Sequence, residues 1–308
     1  MKRSSSLVLL ALLLLFCAAG CSLHTAEAPA VPQSAEVQAA PEEAPAEPAE
    51  EPSQDEISLP PGAGLPDSEF TGENGNPAEP PALPPPEPAQ ADTPRTKKLV
   101  VLDPGHQARA NTGQEPVGPG ASEMKMKVSG GARGVATGVP EYDLVLTVSR
   151  LLRDELESRG YEVLMTRETN DVDLSNRERA ELANSAGADV FLRIHANGSE
   201  DPSASGAMTL CPTAGNPYPI GGLYSQCRLL ADCVLEEYAA ATGAKMERVW
   251  ETDTMSGLNW CLVPVTLLEM GYMTNPDEDR LLNDPAHQIL MVRGIADGVD
   301  RYFSELGI

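Results

Sequence analysis

The sequence predicts an α/β fold: a single three-layer sandwich domain with a twisted, largely parallel sheet flanked by helices, preceded by a disordered linker. Two observations predict it. From Lys97 onward, short apolar runs of strand length alternate with longer stretches whose apolar residues recur at helical spacing, the order that builds a parallel sheet covered on both faces. Before that point the composition changes: 17 of the 28 prolines and 15 acidic residues fall between Ser22 and Pro94, with no Lys or Arg among them.

The elements follow in order. Leu99-Val100-Val101-Leu102 is a short buried strand closed by Asp103-Pro104-Gly105. Residues 107–140, rich in Gly, Pro and polar groups, are expected to form one long loop, a feature that is usually functional in a compact domain. Glu141 to Arg159 is a helix whose apolar face is Leu144, Val148, Leu151, Leu152 and Leu156, stopped by Gly160. Tyr161–Thr166 is a strand. Ser175 and Glu178 form a capping box for a helix ending near Gly187. Asp189–Ile194 is a strand ending at His195, and Ala207–Cys211 is a further candidate. Leu223–Thr242 is a long helix ended by Gly243. Val263–Leu268 is a strand, Asp277–Leu282 a short helical turn and Ala286–Phe303 a closing helix.

Three regions result: residues 1–21, 22–95 and 96–308. Lys2 and Arg3 precede the apolar run Leu7–Ala19, and Ala18-Ala19-Gly20-Cys21 ends it, the layout of an export signal with a lipobox-like end. A lipobox usually carries a larger aliphatic residue where Ala18 stands, so secretion without a lipid on Cys21 is the alternative. Residues 22–95, rich in Pro, Ala and Glu, cannot bury enough apolar surface to fold alone. At about 3 Å per residue, this tether spans on the order of 200 Å. Residues 95–308 carry a net charge of −11, which argues against a nucleic-acid partner. Cys211, Cys227, Cys233 and Cys261 form no CxxC pair, so a Cys-based metal site is not expected; buried free thiols are preferred over bridges.

Histidine is scarce, with four in the chain. His24 lies in the tether and His287 in the closing helix. His106 and His195 each follow a strand, at the edge where α/β sheets bind ligands. Glu141 opens a helix at the same edge. Two imidazoles and a carboxylate make a catalytic metal set with one position left for water. Placement alone leaves the other reading open: each histidine a hydrogen-bonding group, and Glu141 a partner for the helix dipole. Glu269 closes the apolar run Val265–Leu268; desolvation there raises a carboxylate's pKa and suits a general base, or it is a paired structural residue. No HExxH motif is present.

Several segments, in order, resemble the zinc-dependent N-acetylmuramoyl-L-alanine amidases of the amidase-3 family. They are Val100–His106, Gly138–Glu141, Glu162–Arg167, Leu174–Arg177, Ala183-Asn184, Ala188–Asn197 and Pro264–Asn275, with Glu278 and Leu281-Leu282 beyond. The resemblance covers residues 98–303. It implies one Zn²⁺ per domain held by His106, Glu141 and His195, with Glu269 as catalytic base. It implies hydrolysis of the amide joining N-acetylmuramic acid to L-alanine in peptidoglycan. Two residues depart from the family pattern: Gln107, where a Gly-rich run is common, and Arg193, where Ser is common; both are expected to alter substrate contacts. Arg167, Arg177 and Asn197 are candidate site residues without an assigned role. Expected partners are peptidoglycan and, through a lipid on Cys21, the outer face of the bacterial cytoplasmic membrane; the alternative location is the cell wall. An activator protein is compatible with the sequence. Two other functions compete: a catalytically silent wall-binding or regulatory module of this fold, and a zinc carboxypeptidase acting on stem peptides.

Overall fold

The computed structural model describes residues 95–308. The signal segment, Cys21 and the tether up to residue 94 lie outside the described residues. A six-stranded sheet forms the centre, built from β1 (Leu99–Pro104), β4 (Glu162–Met165), β5 (Val190–Asn197), β6 (Ala207–Cys211), β7 (Met246–Glu251) and β8 (Val265–Tyr272). The strand order is β4-β1-β5-β8-β6-β7. All neighbours run parallel except β6 and β8, which are antiparallel.

Alternation along the buried central strand separates two apolar cores. Val100 and Leu102 join the helices α1 (Glu141–Ser158), α3 (Tyr224–Thr242) and α6 (Pro285–Leu306) in one of them. Leu99, Val101 and Phe191 meet α2 (Asn176–Ala186), α4 (Ser256–Asn259) and Ile220 in the other. Three layers result. The Ser175–Glu178 capping box starts α2, and Gly187 ends it in the left-handed conformation at φ 59°. The four cysteines of the described residues are buried and unpaired. Burial pushes the Cys211 thiol up to about 12 and those of Cys227 and Cys233 up to about 11. Among the described residues, no helix is long and apolar enough to cross a membrane.

The structure departs from the sequence reading in four places. Residues 107–140 are not a plain loop: β2 (Asn111–Pro116) and β3 (Met124–Val128) form an antiparallel hairpin outside the main sheet. Its strands are too polar to announce themselves, and contacts far along the chain hold it. Buried Glu115 accepts from Arg177 N at 3.1 Å and Ser256 Oγ at 2.9 Å, and Trp260 Nε1 donates to Pro116 O at 2.8 Å. β8 runs through Glu269 to Tyr272 instead of ending at Leu268. β7 is a mostly exposed edge strand whose charged residues gave no apolar run. The four-residue α4 and the 3-10 turn Pro219–Leu223 are too short for a periodic signal.

Helices α3 and α6 approach closely because α6 carries glycine at two facing positions. A Cβ on Gly298 would lie 2.6 Å from Val234 Cα, and one on Gly294 would lie 2.8 Å from Tyr238 Cα. Both obstacles are backbone and cannot swing aside. Gly298→Ala is therefore expected to cost about 1–3 kcal/mol through overpacking. Urea unfolding of the variant should show the loss, and an unchanged midpoint would contradict this packing.

Candidate active site

Four residues at the carboxyl ends of β1, β5 and β8 are brought together by a buried polar frame. Asp103, the fifth residue of β1, is fully buried. It accepts from Arg179 Nη1 at 2.8 Å, Arg193 Nε at 2.8 Å and Thr166 Oγ1 at 2.5 Å. Burial alone would raise its carboxyl, but the two guanidinium groups hold it well below the usual carboxylate range. Arg179 also donates to the carbonyls of Pro104 (2.9 Å) and His106 (3.0 Å). Arg167 donates to those of Pro104 (2.8 Å), Gly105 (2.8 Å) and Tyr142 (2.9 Å). Burial brings the Arg167 pKa down to about 10, and neighbouring Arg179 adds to the effect. The turn after β1 is thus clamped on its carbonyls, with His106 at φ 57°, the one positive φ at a non-glycine residue among the described residues.

That turn sets the three donors. His106 Nδ1 lies 3.1 Å from Ser129 O, so its N–H points there and Nε2 carries the lone pair. Gly105 lies beneath the His195 ring: a Cβ there would come within 2.3 Å of it. Glu141 opens α1 and is nearly fully buried. Its Oε2 accepts from Ala132 N at 2.7 Å and its Oε1 from Ala196 N at 3.0 Å. Gly131, at φ 76°, leaves room for this: a Cβ there would be 2.8 Å from Glu141 Oε2 and 2.9 Å from His106 Cγ.

The result is a triangle. His106 Nε2 and His195 Nδ1 are 3.1 Å apart, and they lie 3.1 and 3.2 Å from Glu141 Oε1. Donors about 2.0–2.1 Å from a tetrahedral zinc ion are separated by about 3.3 Å. The spacing and the donor types fit a divalent cation. Hydrogen bonding alone serves the triangle poorly, since it is built from acceptor atoms with too few protons between them. With Nδ1 turned inward, His195 Nε2 is buried without a hydrogen-bond partner. Burial pushes the His195 pKa down to about 4 against the pull of Glu141, which favours the neutral imidazole a cation needs. Burial would raise Glu141, but its hydrogen bonds with His106 and His195 hold it well below the usual range.

Glu269 stands beside His195 in the parallel register of β5 and β8. Its Oε2 is sequestered without a partner, although the residue as a whole keeps some exposure. Burial, reinforced by the negative charge of Glu141, pushes its carboxyl well above the usual range. A separate cleft of about 400 Å³ is bounded by Arg109, Asn111, Thr112 and Asp173, and none of the four site residues lines it.

Gln107 and Arg193, expected to alter substrate contacts, are both buried in the frame. Gln107 Oε1 accepts from Arg179 Nη2 at 2.9 Å and from Leu174 N at 3.1 Å, while Arg193 pairs with Asp103 and with Asn176. Arg167 shapes the site from beneath. Arg177 lies over the Trp260 ring at 4.1 Å and pairs with Glu181, and Asn197 receives Met273 N on its carbonyl at 2.8 Å. Asp103 and Arg179 were missed by the sequence reading; the one available signal was a charged residue inside an apolar strand.

A candidate metal centre on an α/β sandwich is the class that fold and geometry define. The family model for N-acetylmuramoyl-L-alanine amidase matches residues 100–301, and the chain belongs to that family. It is 28% identical over 233 residues to the germination-specific N-acetylmuramoyl-L-alanine amidase of Bacillus subtilis (strain 168), a match covering 70% of this chain and 83% of that protein. The fold is shared with the amidase Ami1 of Mycobacterium smegmatis (TM-score 0.60, 24% identity, 68% of this chain and 97% of that one). It is shared too with the CwlD amidase of Clostridioides difficile, solved in complex with the GerS lipoprotein (TM-score 0.54, 24% identity, 68% and 100%).

The frame yields a stability prediction. Asp103→Asn leaves two buried guanidinium groups short of their counter-charge and is expected to cost about 3–5 kcal/mol. Because the folded carboxyl is depressed, its contribution is complete above the unfolded value of about 3.9. It is lost only as pH falls through the depressed value. The gap between parent and variant in urea melts should therefore be constant from pH 5 to 8 and narrow only in acid.

Proposed function

We propose that His106 Nε2, Glu141 Oε1 and His195 Nδ1 hold one Zn²⁺, and that Glu269 acts as general acid–base beside it. The reaction is the family's hydrolysis of the amide between the lactyl group of N-acetylmuramic acid and L-alanine of the peptidoglycan stem peptide. When bound, the ion polarises the scissile carbonyl and makes water more acidic. Glu141 stays ionised and is locked by two backbone N–H groups. His106 is oriented through Ser129, and His195 is seated on Gly105. Glu269 takes the proton of the attacking water and delivers it to the leaving α-amine of L-alanine, ending in its starting state. The observation that carries this reading is the donor triangle with a buried carboxylate oxygen, free of any hydrogen-bond partner, one strand away.

We further propose export, with a lipid on Cys21 and residues 22–95 as a tether to the amidase domain at 96–308. The signal composition and the run of small residues before Cys21 support this. The relative solved in complex with a lipoprotein supports a protein as a partner class.

Zinc content and release of free L-alanine amino ends from purified peptidoglycan test the chemistry. Glu269→Gln is expected to keep about one zinc and lose about 10²–10⁴-fold in kcat. Undiminished cutting by that variant would remove Glu269 from the role, and release of D-alanine in place of L-alanine ends would replace the amidase with a carboxypeptidase. Cys21→Ser is expected to move the protein from the membrane pellet to the soluble fraction; an unchanged distribution would remove the lipid.

A further inference from the structure

Glu141 depends on a segment that is anchored far from it. The segment Gly131–Pro140 contacts Glu141 at three points. Ala132 N donates to Oε2 at 2.7 Å, Ala132 O accepts from Glu141 N at 2.9 Å, and Gly131 lies against both Glu141 and His106. Within the segment, Gly134 N reaches Val139 O and Gly138 N reaches Gly134 O, each at 2.9 Å, and Arg133 bridges Pro140. The fold is tight, and its centre sits on one side chain.

That side chain is Asp279, in α5 (Pro276–Leu282), and it is fully buried. No Lys, Arg or His pairs with it among the described residues. Its acceptor sites go to the segment: Ala136 N at 2.7 Å, Thr137 N at 2.8 Å and Thr137 Oγ1 at 2.8 Å. Asn283 Nδ2 adds a fourth donor at 3.0 Å. A Cβ on Gly134 would lie 2.2 Å from Asp279 Oδ1, so the backbone is drawn down until only glycine fits. A buried carboxylate without a counter-ion needs all of these donors. Departure of the segment would strip Asp279 of three of the four donors to its side chain.

We propose that Asp279 is a positioning residue for the metal ligand Glu141, acting through the 134–137 turn and the Ala132 N–H. It touches no reacting atom. It holds the turn, the turn holds Ala132, and Ala132 fixes the rotation of the Glu141 carboxylate so that Oε1 meets the two imidazoles. This rests on the zinc-site reading above for its functional consequence, but its structural link stands apart from any metal.

The test uses the full chain with Asp279→Ala and the isosteric Asp279→Asn, each with two readouts. The first is zinc affinity by chelator competition, well below the unfolding temperature. The second is hydrogen exchange at the Ala132 amide in metal-free protein. Asp279→Ala is expected to weaken zinc binding about 10–100-fold, the usual scale for residues that orient a ligand, and to speed Ala132 exchange. Asp279→Asn, which keeps one carbonyl for the Ala136 and Thr137 amides, should fall between the parent and Ala. Zinc affinity within twofold of the parent, or Ala132 protection unchanged, would overturn the proposal. Should Asp279→Ala not fold, Asp279→Asn decides on the same two readouts. A parent protein that binds no zinc, while Ala132 exchange still responds to Asp279, would sink the zinc-site reading and leave the positioning link intact.

Discussion

The site depends on the ionic contact of Asp103 with Arg179 and Arg193. Three charged side chains are buried where water cannot solvate them, and desolvation takes back most of the attraction between them. The network is thus a poor source of net stability and a strong source of geometry. With Asp103 held between two guanidinium groups, Arg179 has donors left for the carbonyls of Pro104 and His106, and Arg167 takes those of Pro104 and Gly105. A turn whose carbonyls are all engaged from beneath has little freedom. It holds His106 in the left-handed region and puts the bare Cα of Gly105 under the His195 ring. Both imidazoles are therefore set by one buried carboxylate that meets neither of them.

The same frame explains why two carboxylates at one edge differ in chemistry. Glu141 accepts from two backbone N–H groups and faces the two imidazoles. Each favours its charged form. Glu269 is buried beside that negative charge with one oxygen unpartnered, and only the more remote Arg193 opposes the rise in its pKa. Environments that push two carboxylates apart divide their labour, one staying ionised to bind a cation and the other able to hold a proton. Arg193 thus serves twice, completing the Asp103 pair and opposing in part the rise at Glu269.

How much of this was legible in the sequence follows from where each signal lives. His106, His195, Glu141 and Glu269 stood out because strand ends and helix starts at one sheet edge are local features, and His is rare in this chain. The central strands and the capped α2 were legible for the same reason. The frame was not: Arg179 meets Asp103 across 76 positions and Arg193 across 90, and nothing local marks an arginine as buried. The hairpin failed similarly, since Glu115 and Pro116 are held by Arg177, Ser256 and Trp260 and not by their own pattern. Gln107 and Arg193 are the converse case. They sit next to site residues in sequence, yet their side chains point into the frame.

These long-range contacts also decide what residues 107–140 are. A lid must open at low free energy, which requires few buried contacts and many exposed hydrogen bonds. This segment is largely exposed, yet it is anchored at a few buried points. Its hairpin is tied through Glu115 to the start of α2 and through Pro116 and Val117 to Trp260 and Asn259. Its second half is tied through Val135 N to Met273 O and through Ala136 and Thr137 to Asp279. Between those anchors, Ser129 orients His106 and Ala132 orients Glu141. Lifting the segment would release two of the three donors it would otherwise uncover. The segment that borders the site therefore also positions two of its donors.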